Sequence, residues 1–215
     1  RLPYFGDAAI ASLTGTDTVV LAGAPAPVSF FAYEGQPSRL LPDDARVVML
    51  CEARDDVEGA LIRLADLLDA PTAVSSTRAT ADVTPEGPLT PASVAGVLAE
   101  CLPEQAIVCD EAATTGLPSF LATTAAAPHD WLTLTGGAIG QGLPVAVGAA
   151  VACPDRPVIA LQADGSGLYT LQALWTMARE QLDVTTVLFN NGSYAILNIE
   201  LARVGLADVG DTARS

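Results

Sequence analysis

Lysine is absent from these 215 residues: all ten basic side chains are arginine. Without a lysine the chain can form no Schiff base and a phosphate-binding P-loop would lack its ammonium, which excludes two widespread chemistries. Basic charge is scarce altogether, since 25 acidic residues against ten basic ones give a net charge of −15. No basic stripe is present, so neither a nucleic acid nor an anionic membrane surface is expected as a partner. Histidine occurs once, as His129 in a Pro-His-Asp loop with no serine or cysteine elbow to partner it, and reads as a loop residue. The four cysteines, Cys51, Cys101, Cys109 and Cys153, lack CxxC spacing and mostly fall in apolar runs. That pattern predicts reduced, buried thiols in a cytoplasmic protein. No run reaches the roughly 18 apolar residues of a membrane helix, and the start RLPYFGDAAI carries no signal-peptide apolar region.

Half of the chain is apolar, enough to bury a sizeable core in one or two domains. Residues 1–75 read as a small α/β piece, with strands near Thr18–Ala22 and Arg46–Cys51 and an amphipathic helix near Asp56–Leu68. Two or three strands make a poor independent sheet, so this piece is expected to be part of a larger domain. Residues 76–88, polar with Pro and Gly and without periodicity, read as a linker. A second domain, 89–215, opens with Thr90 as N-cap and Pro91 at the first helical position, predicting a helix to about Leu102. A strand over Ala106–Cys109 follows, stopping at Asp110-Glu111. Then come Asp130–Thr135, the glycine-dense loop Gly136–Pro144 and a small-residue helix over Val145–Ala152. Pro157–Gln162 and Val184–Phe189 are short apolar runs rich in β-formers, separated by Leu168–Glu180, which has helical length and period. Such alternation predicts an α/β fold, a mostly parallel doubly wound sheet covered on both faces.

The two apolar runs end on polar pairs. Ala163-Asp164-Gly165-Ser166 follows the first, and Asn190-Asn191 followed by Gly192-Ser193 follows the second. On neighbouring parallel strands these pairs face the crevice where ligands of such sheets bind. Mg²⁺ takes oxygen ligands and commonly one or two carboxylates with substrate phosphates. Asp164 supplies the charge, the Asn191 side chain a neutral oxygen and the Ser193 carbonyl a third donor. Gly165 lets backbone approach a phosphate, with the Ser166 and Tyr169 hydroxyls close by. Asp-Gly and Asn-Gly are also ordinary turn formers, and each alone would be read as a turn. GGAIGQG is not GxGxxG, and its glycines also suit tight helix packing. Asp164 occupies the acidic place a Rossmann dehydrogenase would want, so a nucleotide-binding oxidoreductase stays open as an alternative.

The signature resembles the GDG…NN motif of thiamine-diphosphate enzymes, here written ADG…NN. The segment from Asp164 to Leu197 is similar to the pyrophosphate-binding domain of acetolactate synthase and benzoylformate decarboxylase relatives. GGAIGQGLPVAVGAAVACPDRPVIAL resembles the block before that signature, and IVCDEAATTG the segment whose hydroxyls help hold the diphosphate. FFAYEGQPSRLL and RVVMLC look like the latter part of the central, Rossmann-like domain.

The resemblance implies thiamine diphosphate with Mg²⁺ held by Asp164, Asn191 and Ser193. It places Thr114, Gly165, Ser166 and Tyr169 at the diphosphate. Gly137 is implied as carbonyl acceptor for the aminopyrimidine, with Ala138 beside it and Ile139 as the apolar prop under the bent cofactor. It also implies a 2-oxo-acid substrate, a homodimer or homotetramer, and decarboxylation followed by carboligation or by aldehyde release. A structural FAD is undecided. Ala163 departs from the family's first glycine, and Phe31 or a near neighbour stands where benzoylformate decarboxylase has a histidine. The family's activating glutamate belongs to an N-terminal domain with no counterpart here, so the chain reads as a C-terminal portion, inactive alone and truncated before the end of its domain. A non-catalytic cofactor-binding or regulatory relative is the alternative from another class.

Overall fold

The computed structural model describes residues 2–71 and 87–206. The chain divides into two compact units, Arg1–Val74 and Ser75–Ser215. The predicted linker lies mostly outside the described residues.

In the first unit, α1 (Gly6–Leu13) precedes β1 (Thr18–Ala22), β2 (Arg46–Cys51) and α2 (Val57–Leu67). The two strands pair in parallel, with Thr18 opposite Arg46. Asp56 caps α2 by accepting the Gly59 amide at 3.0 Å, the device expected where a polar residue precedes an amphipathic run. The small α1, GDAAIASL, carries little periodic signal and was not anticipated; it forms around Ala9, which is fully buried. Phe31 is exposed and packs edge-on against Phe30 at 5.0 Å.

The second unit is a four-stranded, wholly parallel sheet in the order β4-β3-β5-β6. Its elements are α3 (Pro91–Cys101), β3 (Ile107–Glu111), α4 (Gly116–Thr123), β4 (Asp130–Thr133), α5 (Gly142–Ala152) and β5 (Val158–Ala163). A single-turn α6 (Asp164–Gly167), then α7 (Gln172–Arg179), β6 (Val184–Phe189) and α8 (Ala195–Arg203) complete it. Thr90 and Ser93 form a reciprocal capping box at α3, with Pro91 inside it. Strand alternation then sorts the core. Ile107, Cys109, Val158 and Ala160 pack under α5 and α7, while Val108, Ile159 and Leu161 pack against Leu98 and Leu102 on the α3 side. Helices thus cover both faces, as parallel sheets require. The alanines of α5, with Ala146 fully buried, let that helix lie close on the sheet.

Several expectations are corrected. β3 does not stop at Asp110-Glu111 but runs through them, with all five residues buried. α5 starts three residues earlier than predicted, at Gly142. The single helix expected over Leu168–Glu180 is broken: amides at Tyr169 and Thr170 turn back to Ser166 and Gly167 three residues earlier, and regular helix resumes only at Gln172. The Thr170 hydroxyl, which donates to the Gly140 carbonyl at 2.7 Å, ties that break to the glycine loop. The thiols are not uniformly buried, since Cys101 is exposed while Cys51 and Cys109 are buried; all four are free. His129 sits in its loop with Nδ1 2.7 Å from the Ala127 carbonyl and its ring edge-on to Trp131.

Candidate functional site

β3 connects outward to β4, and the chain then returns to the other side of β3 to lay down β5 and β6. The order therefore reverses between β3 and β5, which puts the ligand crevice of a doubly wound sheet at their carboxyl ends. Glu111 ends β3, Asp164 follows β5, and the loop after β6 begins at Asn190.

The two halves of the sequence signature meet. Asp164 Oδ2 accepts the Gly192 amide at 3.2 Å. Asn190 Oδ1 accepts the same amide at 3.1 Å, and Asn191 Oδ1 accepts the Ser193 amide at 3.0 Å. Gly192 holds the left-handed turn, φ +61°, that this bend requires. Each oxygen keeps a further lone pair, so one carboxylate and two neutral oxygens remain available on one rim. A cleft of about 320 Å³ opens beside them, between Asp164, Gly165, Leu168, Leu188 and Tyr194. Gly165 lies against the Tyr194 ring: an added Cβ would come within 2.6 Å of Cε1. Among the described residues no group of three or more His, Cys, Asp or Glu side chains converges. The donor set is oxygen-only with a single carboxylate, which fits a hard divalent cation that completes its shell with phosphate oxygens. On that chemistry the residues fit Mg²⁺ and a diphosphate.

The glycine loop is tied to the ends of β3 and α6 through Glu111 and Thr170. Gly136 and Gly137 both take positive φ, and the Gly137 carbonyl accepts the Ile139 amide at 2.9 Å. Ala138 and Ile139 are exposed at the loop's tip, Ile139 by 53%. Thr114 lies on the 3-10 turn after β3 and is exposed, as is Tyr169 after α6. Ser166 is half-buried and reaches inward. The structure thus brings Asp164, Gly165, Asn191 and Ser193 to one rim, while Thr114, Tyr169 and Ile139 are exposed on their own segments.

What sequence reading missed is the support beneath. Glu111, 3% exposed, accepts the Gly140 amide on Oε1 at 2.6 Å and the Gly142 amide on Oε2 at 2.7 Å. Gln162, directly opposite Glu111 in the ladder, donates to Glu111 Oε2 at 3.2 Å and to Ser166 Oγ at 2.6 Å. The available signal was chemical: a carboxylate and an amide ending two buried strands must find polar partners nearby.

Residues 115–210 match the model of the C-terminal TPP binding domain of thiamine pyrophosphate enzymes. The provisionally named acetolactate synthase large subunit IlvX of Mycobacterium tuberculosis is 54% identical over 95% of this chain and 40% of its own length. Benzoylformate decarboxylase of Pseudomonas aeruginosa is 30% identical over 86% of this chain and 38% of its own. Among solved structures, the thiamine diphosphate-dependent 4-hydroxybenzoylformate decarboxylase of Rhodococcus jostii RHA1 superposes with a TM-score of 0.71 at 27% identity, covering 98% of this chain and 42% of that one. Residues 115–210 thus belong to the C-terminal TPP binding domain family of thiamine pyrophosphate enzymes. It spans about 40% of the length of the curated relatives it matches.

Proposed function

We propose that the complete protein is a thiamine-diphosphate- and Mg²⁺-dependent enzyme of the acetolactate synthase type, acting on a pyruvate-like 2-oxo acid. The observation that carries this reading is the contact of Asp164 with the Gly192 amide, which closes the ADG and NN segments into one oxygen-lined rim at the carboxyl ends of β5 and β6. When bound, thiamine diphosphate supplies a thiazolium that acts as electron sink for loss of CO₂ from a 2-oxo acid. Asp164, the Asn191 side chain and the Ser193 carbonyl hold the cation. The hydroxyls of Ser166, Tyr169 and Thr114, with the open backbone at Gly165, hold diphosphate oxygens. The Gly137 carbonyl accepts a hydrogen bond from the aminopyrimidine, and Ala138 and Ile139 line the cofactor and exclude water from it. Assembly as a homodimer or homotetramer in the cytoplasm belongs to the same reading.

A second reading, aldehyde release by a decarboxylase, is favoured by the likeness to benzoylformate decarboxylase and to the 4-hydroxybenzoylformate enzyme. Incubating the complete protein with pyruvate or benzoylformate, cofactor and Mg²⁺, while following acetolactate and aldehyde, separates them. Acetolactate from pyruvate is the expected product; aldehyde alone would transfer the assignment to the second reading, and no consumption of either acid would refute both.

A further inference from the structure

Gln162 is an anomaly in its strand. The four residues before it in β5, from Val158 to Leu161, are aliphatic and buried, and Gln162 itself is 1% exposed. Its Oε1 has no hydrogen-bond partner. A leucine here would fill the same space without an unpartnered polar atom, so packing gives no account of the side chain. Its nitrogen does. Nε2 bridges Glu111 Oε2 at 3.2 Å and Ser166 Oγ at 2.6 Å. The amide cannot be turned around, because an ionised carboxylate only accepts and Gln162 must present its N–H₂ to Glu111. Glu111 is itself fixed by the Gly140 and Gly142 amides.

We infer that Glu111 and Gln162 are positioning residues that set the polarity of the Ser166 hydroxyl, making it a donor toward the cofactor's diphosphate. The inference rests on the proposed cofactor. A serine hydroxyl has one proton and accepting lone pairs, and an anion needs the proton. With its oxygen already accepting from Gln162, Ser166 turns its O–H elsewhere; its remaining neighbours are the carbonyls of Ala163 at 3.3 Å and Glu111 at 3.4 Å, long contacts that an incoming anion outcompetes. The same carboxylate holds the start of α5 and the loop bearing Gly137 and Ile139, so the glycine loop and the Ser166 turn take their setting from one buried group.

The test is a double-mutant cycle on the complete protein: Gln162→Leu, Ser166→Ala and the pair, with thiamine diphosphate affinity measured calorimetrically at fixed Mg²⁺ and the cofactor-free melting midpoint measured in parallel. Each single change is expected to weaken binding about tenfold, as removal of a group that orients a ligand-holding residue does. The pair should be little weaker than either single variant, because Gln162 acts through Ser166. The midpoint of Gln162→Leu should hold or rise, since an unpartnered buried oxygen is removed; affinity and stability moving apart is what a purely structural glutamine could not produce. Gln162→Met serves if the leucine variant does not fold. Wild-type affinity in Gln162→Leu, or losses that multiply in the pair, overturns the relay alone. Failure of the unaltered protein to bind thiamine diphosphate overturns the cofactor reading and the relay with it.

Discussion

Gly142 and Gly148 lie in the same helix, and replacing each by alanine should move stability in opposite directions. A Cβ on Gly142 would stand 2.6 Å from Glu111 Cβ, 2.7 Å from Gln162 Oε1 and 2.8 Å from Glu111 Oε2. None of these can retreat easily, because Glu111 is held by two amides and Gln162 by Glu111 and Ser166. Overpacking of a buried site costs about 1–3 kcal/mol. Displacing the Gly142 amide from the carboxylate forfeits a charge-assisted hydrogen bond worth about 1.5–3 kcal/mol. Against this, alanine gains at most about 1 kcal/mol over glycine in a helix. The net is a destabilisation of roughly 2–4 kcal/mol. At Gly148 a Cβ meets nothing within 4 Å, so only the helix gain remains, about 0.5–1 kcal/mol of stabilisation. Urea unfolding followed by tryptophan fluorescence reads the right unit, since Trp131 and Trp175 both lie in the second. With a urea slope of about 2 kcal/mol/M, the Gly142→Ala midpoint should fall by roughly 1–2 M. A Gly142→Ala midpoint at or above that of Gly148→Ala would refute the description of Glu111 as a rigid clamp.

Two further predictions concern the thiols. Cys109 is 1% exposed and burial pushes its thiol up to about 11, so at pH 8 a thiol reagent should modify Cys101 quickly and reach Cys109 only after denaturation. Rapid labelling of Cys109 in the native protein would contradict the packing of β3. The same burial makes stability fall in alkali: a thiol whose proton is held more tightly in the folded state contributes fully below about pH 9, and that contribution is lost as pH rises toward 11. Between pH 8 and pH 10.5 the loss should be about 2 kcal/mol and should vanish in Cys109→Ala, measured as the difference in urea midpoints at the two pH values.

How much of this was legible in the sequence depends on where the information lies. β5 and β6 were legible because their apolar runs are bounded by Asp-Gly and Asn-Asn, and α3 because Thr90-Pro91 marks its start. The break between α6 and α7 was not, since its cause is the Thr170 hydroxyl on the Gly140 carbonyl, a partner thirty residues away. α4 was missed because GLPSFLAT is poor in helix formers; it is helical through packing on α3, with Ser119 and Thr123 buried and the Thr123 hydroxyl donating back to the Ser119 carbonyl at 2.9 Å. Among site residues, Asp164 and Asn191 stood out because their strand-end positions are local properties. Glu111 and Gln162 did not, because their importance comes from a ladder register that only the folded sheet creates.

The central claim is that Asp164 and the loop from Asn190 to Ser193 form a cation-dependent diphosphate anchor. Calorimetric titration of the complete protein with thiamine diphosphate, with and without Mg²⁺ and repeated on Asp164→Ala, tests it most directly. The account predicts binding that requires the metal and weakens at least tenfold in the variant, the loss expected when a charged ligand to a hard cation is removed. Metal-independent binding, or an Asp164→Ala variant with unchanged affinity, would show that Asp164 only shapes a turn and would contradict the account.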